Sequence, residues 1–313
     1  MTADDDFDGE EQQASQEAEY RSSLDRDQKL NVFDSVRAQT QSPVEPVKLA
    51  AHDTFRFRCH RGVSCWNKCC YGADITLPPY DILRLSRRFG MCPAEFLEKY
   101  TVPAEHEGAA MPVVKLKMAG DDGKGACHFL AEEGCTVYAD RPAACRYYPL
   151  GLISVKLKDS EAKEDFHFLV REEHCRGHDE SQTQTVAEFC KDQGVEPYEQ
   201  INRGWIDILM KLASWRPMGG PMGKTPSPQA RQMFFMVSTD VDRFRKFVFE
   251  SRFLSVYEIP QEAVELVKTS DEALLLFGLD WMKNVLFNEP TIAMRHDVLQ
   301  GAIAQARSLA SGS

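Results

Sequence analysis

The sequence lacks the features that place a protein at a membrane or on nucleic acid. No apolar run is long enough to span a bilayer, and Leu274–Phe277 fits a fragment of a core helix. The chain carries 37 lysines and arginines against 48 aspartates and glutamates, which gives a formal charge of −11. An acidic chain offers no general attraction to nucleic acid or to anionic lipid. We therefore expect neither a nucleic-acid partner nor a membrane.

Familiar catalytic motifs are also missing. The sequence has no His-Glu-x-x-His, no G-x-S-x-G and no G-x-G-x-x-G. The segment 219–225 is not a P-loop, because the glycine required six residues before Lys224 is replaced by Met218. No catalytic residue is predicted, and whether the protein is an enzyme stays open.

The N-terminal residues lack the basic and apolar stretches of an export signal. Acidic residues, among them Asp4–Asp6, occupy that place. We therefore expect a cytoplasmic protein in a reducing compartment, where structural disulfides are rare. Residues 1–50, rich in Asp, Glu, Gln and Ser, predict a disordered acidic leader.

What the sequence does contain is cysteine, ten residues in all, and eight of them predict a metal site. Thiolates are soft ligands that suit Zn²⁺ or an iron–sulfur cluster, and clustered cysteines in a reducing compartment favour a metal over disulfides. The eight predicted ligands are Cys59, Cys65, Cys69, Cys70, Cys127, Cys135, Cys145 and Cys175.

The other two cysteines, Cys92 and Cys190, fit small apolar residues and are excluded from the predicted site. Histidines next to the ligands could substitute for a cysteine, although a lone histidine is more often a polar surface residue. These histidines are His60, His128, His174 and His178.

The cysteines lie in a locally basic part of an acidic chain. No Asp or Glu occurs between Asp53 and Asp74, and Arg141 and Arg146 flank Cys145. Positive charge would stabilise thiolates and the net negative charge of a thiolate-bound metal. We expect Arg141 and Arg146 to support the ligands rather than to bind the metal themselves.

The cysteine spacing leaves the number of sites open. The spacing of Cys65 and Cys69 is one residue longer than a zinc-ribbon C-x₂-C. Side chains of the adjacent Cys69 and Cys70 point in different directions in most backbone conformations. One four-sulfur site with spare thiols and two four-sulfur sites are both allowed.

The pattern of apolar residues predicts an α+β protein with three parts. The disordered leader is followed by a small, irregular cysteine-cluster domain over 51–180 and by an α-helical C-terminal region over 181–313, with a Pro/Gly linker near 216–228. Individual elements are also predicted: strands at Asp74–Leu77 and Met111–Met118, helices at Pro79–Arg88, Pro93–Tyr100 and Thr291–Leu309, and a hairpin of Leu150–Leu157 with Asp165–Val170.

Three segments resemble the YkgJ-type cysteine-cluster family, a CxxCxxCC-like domain described as chelating zinc or iron. They are Phe57-Arg-Cys…Cys-Trp-Asn-Lys-Cys-Cys70, Ile75-Thr-Leu-Pro-Pro-Tyr-Asp-Ile-Leu-Arg-Leu85 and Gly134-Cys-Thr-Val-Tyr-Ala-Asp-Arg-Pro-Ala-Ala-Cys-Arg-Tyr-Tyr-Pro149. The likeness covers about residues 55–212, and it implies that the same eight cysteines bind a metal. The gap between Cys59 and Cys65 is longer than that family's usual spacing.

The leading hypothesis is a protein that holds an iron–sulfur cluster, with the 4Fe–4S form favoured. It would act in electron transfer, redox sensing or an uncharacterised redox reaction, with an unknown redox or protein partner. The alternative is a structural zinc-binding module for protein interaction. A third hypothesis, a metal-free thiol enzyme, requires full activity after chelation.

Overall fold

The computed structural model describes residues 44–156 and 163–300, and these residues fold as an α+β protein. This confirms the predicted fold class. The strands are β1 Val44–Leu49, β2 Thr54–Arg56, β3 Thr101–His106, β4 Met111–Leu116, β5 Leu130–Ala131, β6 Gly134–Cys135, β7 Leu150–Lys156, β8 Lys163–Val170, β9 Thr183–Thr185, β10 Tyr257–Glu258 and β11 Ala293–Met294. The α-helices are α1 Pro79–Arg88, α2 Pro93–Tyr100, α3 Ala143–Tyr147, α4 Val186–Gln193, α5 Glu196–Trp215, α6 Pro228–Thr239, α7 Val241–Glu250, α8 Phe253–Val256, α9 Gln261–Thr269 and α10 Asp271–Phe287.

The chain divides into two compact units. Unit 1 takes in the described residues up to Trp66 together with Tyr147–Phe189, and unit 2 consists of Asn67–Arg146 and the described residues from Cys190 onward. Both units are therefore built from two separate stretches of chain. This division differs from the predicted boundary between residues 180 and 181.

Unit 1 is built on antiparallel strands. Strand β8 lies between β1 and β7, and β2 pairs with β9. Phe189 packs edge-on against Phe55 and Phe57, at ring-centroid distances of 5.4 and 6.2 Å. The predicted hairpin is present as β7 and β8. Strand β1 falls within the stretch assigned to the acidic leader, whose residues 1–43 lie outside the described part of the chain.

Unit 2 contains the longer helices and a large buried core. Helix α1 begins at Pro79, which suits the first helical position because it needs no N–H donor there, and Gly90 follows its end with a φ of 62°. The apolar side of α1 contributes Leu83 to that core and Ile82 to a second, smaller buried cluster of the same unit. The opposite side carries Arg84, Arg87 and Arg88.

Two predicted elements of unit 2 differ from the structure. Residues 74–77 form a single bridge, between Thr76 and Lys115, instead of a full strand. The helix predicted from Thr291 is interrupted at its start, because β11 pairs with β10 and helical residues begin only at 296. Residues 301–309 of that prediction are outside the described chain. Within the described residues no helix is both long enough and apolar enough to cross a membrane.

Candidate metal centre

Short backbone pairings bring the cysteines of unit 2 together. The Cys127 amide donates a hydrogen bond to the Cys70 carbonyl at 2.7 Å, and Tyr71 forms a bridge with Ala126. Cys135 pairs with Leu130 in the β5–β6 hairpin. These contacts join the end of the first cysteine group to the second group.

Five thiols of unit 2 lie close enough to influence one another electrostatically, and we call them the thiol cluster: Cys69, Cys70, Cys127, Cys135 and Cys145. The charge of a Cys69 thiolate acts on all four of the others. Since charge interactions weaken with distance and with water between the groups, this mutual influence requires that the thiols be neighbours.

The surroundings of the thiol cluster oppose ionisation of its members. A hydrogen bond with Cys69, followed by burial, raises the pKa of Cys70. Burial raises the pKa of Cys127 and of Cys135. The Cys145 residue retains exposed surface, but nearby protein atoms still desolvate its thiol and raise its pKa. A bound cation would remove this penalty, so the donor set fits a metal that prefers sulfur.

The side chains do not already stand in a ligating arrangement. Among residues 44–156 and 163–300, no three His, Cys, Asp or Glu side chains are placed to hold one metal ion. Metal binding would therefore require the neighbouring thiols to rotate toward a common centre.

The other three predicted ligands, Cys59, Cys65 and Cys175, belong to unit 1. The Cys65 sulfur accepts a hydrogen bond from the Arg176 amide at 3.1 Å, next to Cys175 in the chain. The Arg58 amide donates to the Gly177 carbonyl at 3.0 Å, which holds the backbone before Cys59 against the same loop. Of the eight predicted ligands, five thus belong to unit 2 and three to unit 1.

The four candidate histidines already have neighbours. His60 accepts a hydrogen bond from the Gly62 amide at 3.1 Å, and its Nε2 lies 3.2 Å from a Glu180 oxygen. His178 Nε2 lies 3.1 Å from the Val170 carbonyl oxygen. His174 and His128 face Glu172 and the Tyr100 ring, respectively.

The two excluded cysteines have different environments. Cys92 is exposed, contrary to the small buried residue that the sequence suggested, and its amide donates to Glu95 Oε2 at 3.0 Å at the start of α2. Cys190 is half-buried, and burial raises its pKa to about 11. Neither thiol is among the main causes of the raised pKa values in the thiol cluster.

Two buried arginines fix the segment that carries Cys145. Arg146 donates hydrogen bonds to the carbonyls of residues 139, 141 and 193 and to the Tyr198 hydroxyl. Arg141 donates to the Tyr138 carbonyl and to the Gln193 side chain, and its charge acts on Cys135 and Cys145. Arg146 therefore holds the segment that carries Cys145, and Arg141 places positive charge near two thiols of the cluster. Their role beside a bound metal stays a prediction.

Asp81 is a buried acid that the sequence analysis did not single out. Its Oδ2 accepts a hydrogen bond from the Ala143 amide at 2.9 Å, at the start of α3, whereas its buried Oδ1 has no hydrogen-bond partner among the described residues. Burial raises the pKa of Asp81 to about 8, although Arg146 and the Ala143 amide act in the opposite direction. The sequence signal for this buried acid was an aspartate next to Ile82, on the apolar side of α1.

Asp81→Asn is expected to reduce the pH dependence of stability. Because the folded-state pKa of Asp81, about 8, exceeds its usual value of 3.8, its contribution is complete below about pH 4 and is lost as pH rises toward 8. Asparagine does not ionise. The free energy of unfolding of Asp81→Asn, relative to that of the wild type, should therefore increase with pH, by on the order of several kcal/mol between pH 4 and 8. Denaturant unfolding of both proteins across this range measures the difference. Parallel pH profiles would contradict the assignment.

Comparison with known proteins agrees with the chemistry of the cysteines. Residues 58–191 match a family model, CxxCxxCC, described as a "putative zinc- or iron-chelating domain". The match confirms the resemblance seen in the sequence and supports metal binding by cysteines. It contains all eight predicted ligands. No curated protein and no solved structure matches the chain.

Proposed function

We propose, from the match of residues 58–191 to a zinc- or iron-chelating family, that the thiol cluster of unit 2 binds an iron–sulfur cluster. The observation that carries this proposal is the number of neighbouring thiols in one unit. Four cysteines satisfy a 4Fe–4S cluster. Of the adjacent Cys69 and Cys70, only one serves as a ligand. The thiol cluster then supplies four ligands and one spare thiol.

The protein residues around the thiol cluster suit a negatively charged group. Arg141 places positive charge near Cys135 and Cys145, and Arg146 holds the segment between these cysteines. Such a group supplies one-electron chemistry when bound. We therefore propose electron transfer or redox sensing as the function, with a redox partner that accepts or donates single electrons.

A second candidate is a structural zinc site in unit 1. Three cysteines and a histidine form a common zinc ligand set, and unit 1 contributes Cys59, Cys65, Cys175 and nearby histidines. The hydrogen bond from the Arg176 amide to the Cys65 sulfur favours this candidate, because outer hydrogen bonds of this kind orient metal ligands. Zinc in unit 1 is compatible with iron in unit 2.

Metal analysis of protein purified without oxygen tests both candidates. We expect iron and acid-labile sulfide in equal amounts, a brown colour that fades in air, and zinc that survives exposure to air. A colourless, air-stable protein with zinc alone would contradict the iron–sulfur proposal and leave the zinc module. A protein without either metal would contradict both.

A further inference from the structure

We propose that a cleft beside the thiol cluster binds a small organic anion bearing carboxylate or phosphate groups. The cleft lies within unit 2 and has a volume of about 440 Å³. Its charged lining consists of three arginines and three acids: Arg84, Arg87, Arg88, Asp140, Asp271 and Glu272. This inference does not depend on which metal the thiol cluster binds.

The three arginines share one side of α1. Residues three and four apart face the same way on a helix, so Arg87 and Arg88 lie beside Arg84. Their side chains are 43% exposed at Arg84, 40% at Arg87 and 37% at Arg88. The opening of the cleft therefore presents three guanidinium groups along one wall.

Two of the acids that pair with these arginines lie deeper, whereas Asp242, which pairs with Arg87, is 35% exposed. The Asp140 side chain is 11% exposed and the Asp271 side chain 26% exposed, less than any of the three arginines. Burial alone would raise the pKa of Asp140, but hydrogen bonds from Arg84 and Arg88 outweigh it and lower that pKa. Because the Asp140 carboxylate sits beneath Arg84 and Arg88, an anion that approaches these two arginines from solvent meets their positive charges first.

The ion pairs also hold the guanidinium groups in place. All three guanidinium nitrogens of Arg87 bond to Asp242 or Asp271, whereas Arg84 and Arg88 each keep one nitrogen available. Arg84 bonds to Asp140 through Nε and Nη2, and Arg88 bonds through Nη1 to Asp140 and through Nη2 to the Thr136 carbonyl. Arg84 Nη1 and Arg88 Nε make no hydrogen bond with any described residue. A fixed, planar donor group matches a carboxylate or phosphate and loses little freedom on binding.

The size of the cleft suits a small molecule rather than a polymer, since pockets of about 300–1,000 Å³ accommodate compact ligands. Its position also connects it to the thiol cluster. The Thr136 carbonyl bound by Arg88 belongs to the residue after Cys135, and the charge of Arg88 acts on the Cys135 thiol. An anion in the cleft would thus lie beside a proposed metal ligand.

Calorimetric titration of the full-length protein, as purified, tests the proposal with inorganic phosphate, citrate and an acidic peptide as separate probes. We expect phosphate, citrate or both to bind with a dissociation constant below about 1 mM, and to weaken as salt is added. Comparison of phosphate binding with citrate binding shows whether the cleft prefers a phosphate group or a carboxylate group. Binding of the peptide alone, or of none of the probes, would overturn the proposal.

Variants locate the binding. Arg84→Gln and Arg88→Gln should each weaken binding by about tenfold, because each removes a charged group with an available donor, whereas Arg243→Gln, an exposed arginine outside the cleft, should not. Glu272→Gln should strengthen it by about threefold, because it removes a negative charge from the lining without removing an arginine. Misfolding cannot mimic that gain. Equal losses in Arg84→Gln and Arg243→Gln, or no gain in Glu272→Gln, would overturn the site.

Discussion

Cys145→Ser is expected to remove most of the metal from the thiol cluster. Serine has nearly the same shape, but its hydroxyl is a harder and far less acidic donor than a thiol, so a soft metal loses a ligand. We expect metal affinity to fall by more than about 100-fold, since changes outside the ligand set alone cost 10–100-fold. Elemental analysis after gel filtration gives the metal content per chain, and circular dichroism reports whether the variant is folded.

The matched control for this prediction is Cys92→Ser. Cys92 is also in unit 2 and exposed, and it lies at the start of α2, outside the thiol cluster. The control should retain the wild-type metal content. Wild-type metal content in Cys145→Ser, or an equal loss in both variants, would show that the thiol cluster is not the metal site.

Arg146→Met is expected to destabilise unit 2 by about 3–5 kcal/mol. Methionine preserves much of the apolar stem but leaves three backbone carbonyls and the Tyr198 hydroxyl without the guanidinium donor. Buried groups that lose their partners pay the full cost of desolvation. Urea unfolding of the wild type and the variant, under the same metal loading, measures the difference in the free energy of unfolding.

Arg243→Met provides the comparison for Arg146→Met. Arg243 is exposed on α7, and the same substitution there should change the free energy of unfolding by less than about 0.5 kcal/mol. A change below about 1 kcal/mol in Arg146→Met would indicate that water replaces the guanidinium and that the network does not hold the Cys145 segment.

Much of the local structure followed from the sequence because its signals are local. Pro79 and Pro93 mark the first residues of α1 and α2, as the predicted helices at Pro79–Arg88 and Pro93–Tyr100 required. The α+β class and the hairpin of β7 and β8 followed in the same way, from apolar periods and an intervening polar stretch. Each of these signals lies within a few residues of the element that it predicts.

Long-range pairings were not predictable from such signals. Strands β2 and β9 pair Thr54 with Thr185, although they are far apart in sequence and only three residues long. Their pairing also contributes to the division of the chain, which separates Cys65 in unit 1 from Cys69 in unit 2. The spacing of the cysteines had left open whether these two residues serve one site or two. The grouping of five thiols and the burial of Asp81 depend on such distant contacts, so only the structure could provide them.

The most direct test of the account is X-ray absorption spectroscopy of the metal in protein purified without oxygen. The thiol cluster predicts that about four sulfur atoms surround the bound metal at about 2.3 Å, the usual metal–thiolate distance for zinc, with iron expected to be similar. Cys145→Ser should lose this signal, whereas Cys92→Ser should keep it. A metal surrounded mainly by nitrogen and oxygen, with no sulfur at that distance, would contradict the claim that these cysteines hold it.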